Sequence, residues 1–248
     1  MFPYRDDNPT LRTPVVTIAI IALNVAAWVL VQGMGADPDL ARSICDLGLI
    51  PGEFLHTIPP GTEVSLGPGA SCVLGYGPTW LTPLTSMFLH GGWLHLIGNM
   101  WFLWLFGNNV EDSMGRAPFV LFYLLSGLGA AATQTLLSPT SIIPMVGASG
   151  AISGVMGAYV ILYPTVQVHM LIVLVVFITR IVVPAYLMLG YWFLLQFVQG
   201  AASVGSSGGV AFWAHVGGFI TGALLIFVFR NPELVAEHRR LARVYSRA

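Results

Sequence analysis

Ser149 lies in the turn Gly147-Ala148-Ser149-Gly150 at the head of one apolar stretch. His215 lies in Ala214-His215-x-x-Gly218-x-x-x-Gly222 at the head of another. A serine hydroxyl attacks only as it loses its proton, so a neutral base must lie within hydrogen-bond reach. An imidazole is such a base. The attack creates an oxyanion, and donors must already wait where that charge forms. His95 and Asn99 stand four residues apart in His-Leu-Ile-Gly-Asn, so they stack on one helical face. The Ser149 backbone N–H is a third donor, and the N-terminus of its helix adds partial positive charge. The chemistry these residues point to is hydrolysis of a bond at or within a membrane.

Ser149 and His215 can meet only if their helices pack closely. Gly150-x-x-x-Gly154 with Gly157 puts a smooth stripe on one helix, and Gly218-x-x-x-Gly222 does so on the other. Small residues at this spacing let apolar helices approach. The pattern also packs helices in proteins that do no chemistry. Its weight comes from the serine and histidine beside it.

Composition makes the setting a membrane. Hydrophobic residues make up 56% of the 248, and charged residues 8%. A soluble domain carries about 25% charged residues. Five stretches are long and apolar enough to span: Val15–Val31, Trp93–Val110, Pro118–Leu137, Val146–Tyr163 and Val210–Phe229. Between Val166 and Gln199, Arg180 and Pro184 split a longer run. Ser149 and His215 both head their helices, so those helices must run in the same direction, with one crossing between them. Ile181–Gln199 is therefore read as that crossing, and Val168–Thr179 as an interfacial or folded-back piece. The expected fold is all-α, a polytopic bundle of six transmembrane helices.

Arginine placement gives the orientation. The chain has no lysine, and cytoplasmic loops carry the excess of basic residues. With six spans, Arg5, Arg12, Arg116, Arg180, Arg230, Arg239, Arg240, Arg243 and Arg247 share one face, and Arg42 alone lies on the other. Residues 1–14 and the Arg-rich tail 230–248 are thus expected to be cytoplasmic, with Ser149 and His215 toward the outer face. Residues 15–229 form the membrane domain. The first segment lacks the basic region and cleavage site of a signal peptide and is read as retained. The setting is read as a bacterial plasma membrane.

The outer loop, residues 33–83, is acidic and rich in Pro and Gly, and holds both cysteines, Cys45 and Cys72. A bridge between them suits an oxidising compartment. His90 is read as a structural hydrogen-bonder, Glu111 and Asp112 as caps or partners of Arg116, and His169 and His238 as surface residues. His90, His95 and His215 do not make a convincing zinc set, since no acidic residue or water-activating partner accompanies them. Ala151 breaks the Gly-x-Ser-x-Gly elbow of soluble hydrolases. No phosphate loop, pooled basic face or heptad repeat appears, so neither cofactor, metal nor nucleic acid is expected.

The set Trp80, His90, His95-x-x-x-Asn99, Glu111, Gly147-Ala148-Ser149-Gly150, Gly157 and Ala214-His215-x-x-Gly218-x-x-x-Gly222 resembles the rhomboid intramembrane serine proteases, over roughly Thr79 to Phe229. The resemblance implies a dyad without aspartate, with Ser149 as nucleophile and His215 as base. It further implies His95, Asn99 and the Ser149 amide around the oxyanion. Substrates would be single-span membrane proteins, cut after a small residue near the outer end of their helix. Two positions differ from the family pattern. Leu81 follows Trp80 where many members have arginine, and Ser153 stands where many have an aromatic ring packed on the histidine. Trp213 is a candidate to replace that ring. The rival readings are an inactive relative that binds membrane helices and a small transporter. The Ile181–Gln199 helix, with Trp192, Phe193 and Phe197 as candidates for its inner face, and the loop Gln199–Val210 are the expected gate.

Overall fold

The computed structural model of the chain describes residues 2–67, 69–75, 77–174, 177–202 and 211–245. In chain order these form β1 (Phe2–Asp6), α1 (Val15–Leu30), α2 (Asp39–Leu47), α3 (Pro51–Phe54), β2 (Glu63–Gly67), β3 (Ala70–Val73) and α4 (Thr82–Thr85). The long helices α5 (Trp93–Met114), α6 (Arg116–Leu137) and α7 (Ser149–Leu162) follow. The chain then runs through β4 (Gln167–Leu174), β5 (Phe177–Pro184), α8 (Ala185–Ala202), α9 (Phe212–Phe229) and α10 (Pro232–Tyr245).

α7 is the hub. Every residue from Gly150 to Tyr159 is buried, and α5, α6, α8 and α9 all pack against it. Its tightest partner is α9. A Cβ on Gly218 would overlap the Gly150 carbonyl oxygen, and one on Gly222 the Gly154 carbonyl oxygen. A Cβ on Gly157 would overlap the carbonyl of Phe219. Gly150 and Gly154 also face α6, where Ala130 and Ser126 occupy the space a side chain would need. Two helices, α6 and α9, are both long and apolar enough to cross a membrane, and α1 and α7 are shorter apolar helices.

The fold is mostly helical, and the all-α expectation is corrected by five strands among the described residues. β1, β4 and β5 form an antiparallel sheet in that order. Most of the segment read as interfacial or folded back is therefore a hairpin, with Val168 paired to Val183 and His169 to Val182. The run is rich in Val and Ile, whose branched side chains suit a pleated surface. The next helix begins only at Ala185, after Pro184, not at Ile181, because proline cannot donate within a continuing helix. The smaller hairpin β2–β3 lies in the long loop. There a disulfide joins Cys45 of α2 to Cys72 of β3, over a small core of Ile50, Val64, Cys72 and Leu74.

The two ends of the bundle differ. At the Ser149 end, the long loop is pinned to the segment before α7: Leu49 and Met145 exchange backbone bonds, and Gly147 N–H donates to the Ser86 carbonyl at 2.9 Å. At the opposite end, the N-terminal segment, the sheet and α10 meet. Glu111 accepts from the N–H groups of Val16 and Thr17 at 3.0 and 2.8 Å and so caps α1. Asp112 accepts from Leu11 N–H at 2.7 Å. Both carboxylates thus serve the N-terminal segment rather than Arg116. Trp101 Nε1–H donates to the Pro3 carbonyl at 2.7 Å.

Two histidines read as surface residues have partners here. His169 lies 2.8 Å from Asp7. His238 of α10 is buried, between the Pro9 carbonyl at 3.0 Å and Asn109 at 3.3 Å. Asp6 accepts from the Tyr159 hydroxyl and from Asn109 Nδ2. Burial pushes its carboxyl up to about 6, although the Tyr159 bond works the other way.

Candidate active site

Ser149 is the first residue of α7, and its backbone N–H is one of the helix's free donors. The turn before it depends on Gly147, whose φ of +129° suits glycine. A Cβ there would lie 2.8 Å from the His95 ring. His215 sits in the first turn of α9. Gln134 of α6 accepts from Ala214 N–H at 3.2 Å and fixes that end. The Ser149 hydroxyl and His215 Nε2 are 2.8 Å apart. They come together because the α7 and α9 backbones touch just below them.

A cavity of about 90 Å³ opens beside the pair. His95, Met145, Val146 and Gly147 line it together with Ser149 and His215. Its volume holds a few water molecules. His95 Nδ1 accepts from Gly91 N–H at 3.3 Å, so its proton sits on Nε2, the nitrogen that faces Gly147. Asn99 lies one turn further along α5 and is buried. It is not part of the cavity wall, and among the described residues its Nδ2 has no acceptor. A buried amide without an acceptor is costly and suits a site that receives one during a reaction.

His90 is fully buried beside His95, with ring centroids 5.2 Å apart. Its backbone is held by a fork from Gln32, which donates to the His90 carbonyl and accepts its N–H, each at 2.8 Å. Trp80, the loop residue, is 72% exposed.

Ser153 is buried one turn after Ser149, and its hydroxyl donates to the Ser149 carbonyl at 2.6 Å. The ring that packs on His215 comes from α8, not from Trp213. It is Trp192, with centroids 5.8 Å apart. Trp213 pairs with Phe197 instead, at 5.7 Å. One further residue was not anticipated. Gln196 of α8 accepts from His215 Nδ1–H at 2.7 Å. The signal available for it was an amide in a mostly apolar helix, one turn after Trp192 and shared with Gln199. Of the expected gate loop, residues 203–210 lie outside the described residues.

A helical bundle that holds a serine against an imidazole at the heads of two glycine-packed helices defines a narrow class of protein. Residues 78–232, more than half of the chain, match the rhomboid domain. The chain belongs to the rhomboid family, which includes both active proteases and inactive relatives. Together with α6 and α9, that makes it a membrane protein. It is 31% identical over 180 residues to rhomboid protease GluP of Bacillus subtilis, covering 73% of this chain and 32% of that protein. It is 40% identical over 77 residues to Rhomboid-like protein 11, chloroplastic, of Arabidopsis thaliana, covering 31% of this chain and 27% of the other. RHOMBOID-like protein 6, mitochondrial, from the same plant is 33% identical over 167 residues, covering 66% and 48%. The chain thus spans less than half of each of these relatives.

Proposed function

We propose that the protein is an intramembrane serine endopeptidase that cuts single-span membrane proteins near the outer membrane face. The observation that carries this reading is the 2.8 Å approach of the Ser149 hydroxyl to His215 Nε2 at the mouth of the cavity. Ser149 attacks the scissile carbonyl as His215 takes its proton, and the imidazolium then protonates the leaving amine. His95 Nε2–H, the Ser149 N–H and, once substrate draws it in, Asn99 Nδ2–H receive the oxyanion. Water from the cavity then hydrolyses the acyl-enzyme. The printed name of the Bacillus subtilis relative, a rhomboid protease, agrees with this reading.

In this reading α1, α5, α6, α7, α8 and α9 cross the bilayer, residues 15–229 form the membrane domain, and both ends of the chain are cytoplasmic. Arg5, Arg12, Arg116, Arg180, Arg230, Arg239 and Arg240 lie on segments at the end away from Ser149, and Arg42 lies in the loop at the other end. That asymmetry supports the orientation. α7 has 14 residues and rises about 21 Å. The hydrocarbon core is about 30 Å thick. A helix that ends at the inner boundary would hold Ser149 roughly 9 Å below the outer one. The substrate enters sideways past α8, and water enters from outside.

The test is labelling of purified protein with a fluorophosphonate, together with co-expression against a panel of tagged single-span proteins. The wild type should label, Ser149→Ala and His215→Ala should not, and only the wild type should cut a panel member. A wild type that neither labels nor cuts is an inactive helix binder or a transporter.

A further inference from the structure

Neutral imidazole has two tautomers, and only one of them can act here. If Nε2 carried the proton it would point a donor at the serine hydroxyl and could not accept from it. A fixed acceptor at Nδ1 selects the useful form. In this chain the aromatic position on α7 is taken by Ser153, which bonds back to the Ser149 carbonyl and does not reach the base. The described residues around His215 offer no carboxylate: the titratable group bearing on it is His95, from α5.

α8 supplies what α7 lacks. Trp192 and Gln196 are four residues apart, on one helical face. The Trp192 ring lies against the imidazole, 5.8 Å between centroids, and the Gln196 carbonyl holds Nδ1–H at 2.7 Å. We propose that Gln196 is the positioning residue of the Ser149–His215 pair, setting the tautomer of the base from the helix that also forms the gate. The proposal rests on the reading of these two residues as a dyad. As His215 takes the serine proton it becomes cationic, and its bond to Gln196 becomes charge-assisted and stronger. Both groups ride on α8, so swinging α8 away from α9 removes ring and acceptor together. The base is competent only when α8 is docked.

The experiment measures the rate of Ser149 phosphonylation by a soluble fluorophosphonate, against pH, with binding and reaction steps separated. Gln196→Met keeps the length and apolar bulk of the side chain and removes the acceptor. It should slow the reaction step by about 10- to 100-fold, the loss of a hydrogen bond to a charged group, and leave probe binding unchanged. Gln196→Glu keeps an acceptor and adds negative charge beside the imidazole. It should react faster than the Met variant, with the acid limb of the profile moved to higher pH. A purely structural role would slow both variants alike and leave that limb in place, which overturns the proposal. So does a Met variant with the wild-type rate at every pH. If the wild type itself does not label at Ser149, the dyad reading fails first. If it labels and the Met variant is indifferent, only the role of Gln196 is lost.

Discussion

Asn99 is the residue whose geometry and proposed role are furthest apart. Its Nδ2 is buried without an acceptor among the described residues, yet it stands outside the wall of the cavity. An oxyanion that reaches it gains one donor of three. Asn99→Ala should lower turnover by at most about 10²–10³-fold, less than Ser149→Ala does, because His95 and the Ser149 amide remain. Single-turnover cleavage of a tagged single-span protein measures this, and unchanged turnover would remove Asn99 from the site. Asp6 carries a second prediction, about stability. Its folded-state pKa, about 6, lies above the ordinary 3.8. Its contribution is full below the ordinary value and is lost as pH rises through about 6. Asp6→Asn keeps an oxygen for Tyr159 and Asn109 and cannot ionise. The variant should gain thermal stability over the wild type as pH rises across that window, and match it in acid. A difference that does not vary with pH would mean that Asp6 does not ionise in the folded protein. That Ser149, His215 and His95 come together was legible from residue type and spacing. Gln196 was not, because α8 also carries Gln199 and nothing in the sequence says which amide faces His215.

At the scale of elements, the α7–α9 contact decides whether the pair forms. Overpacking a tight core costs about 1–3 kcal/mol, and more where backbone must move. A side chain on Gly222 meets the Gly154 backbone and not a flexible side chain. Gly222→Val should therefore lower the melting temperature and abolish fluorophosphonate labelling. Gly190→Ala on α8, where a Cβ has open space, should leave stability unchanged. Equal stability of both variants would mean the two helices are not in contact.

The rings of α8 meet different partners, so trimming Trp192 and trimming Phe193 should have different effects. Trp192 lies on the His215 ring, so its loss should slow the probe as well as the substrate. Phe193 lies on Phe219 of α9, with centroids 4.7 Å apart, and holds the two helices together away from the imidazole. Phe193→Ala should raise cleavage of a transmembrane substrate, because a closed gate can limit turnover. It should leave the probe rate near that of wild type, because Trp192 still docks α8 on Phe219 and on the imidazole between openings. Slower cleavage would make α8 a wall. The helices around Ser149 were legible from apolar length. The β4–β5 hairpin was not, since a run such as Met-Leu-Ile-Val fits a buried strand or a helix and periodicity alone does not separate them.

Across the whole molecule, the two ends of the bundle are secured by different means. The end near Ser149 relies on a covalent tie. The disulfide spans 27 residues of a loop with a small core. Closing a loop of that size is worth about 3.5 kcal/mol of chain entropy. Reduction should lower the melting temperature and expose two thiols to alkylation, while unreduced, denatured protein should resist it. Immediate alkylation without reductant would rule the bridge out.

The opposite end is joined by pairing between distant parts of the chain, and this has a consequence for synthesis. His169 follows its partner Asp7 by 162 residues. Ribosomes add about 5–20 residues per second, so β1 waits roughly 8–30 s for β4 to exist. Through that interval β1 has no strand to join, while α1, α5, α6 and α7 are made in turn. Its docking therefore cannot guide their insertion. It comes afterwards, as a seal that closes only on a chain whose central helix has already been made.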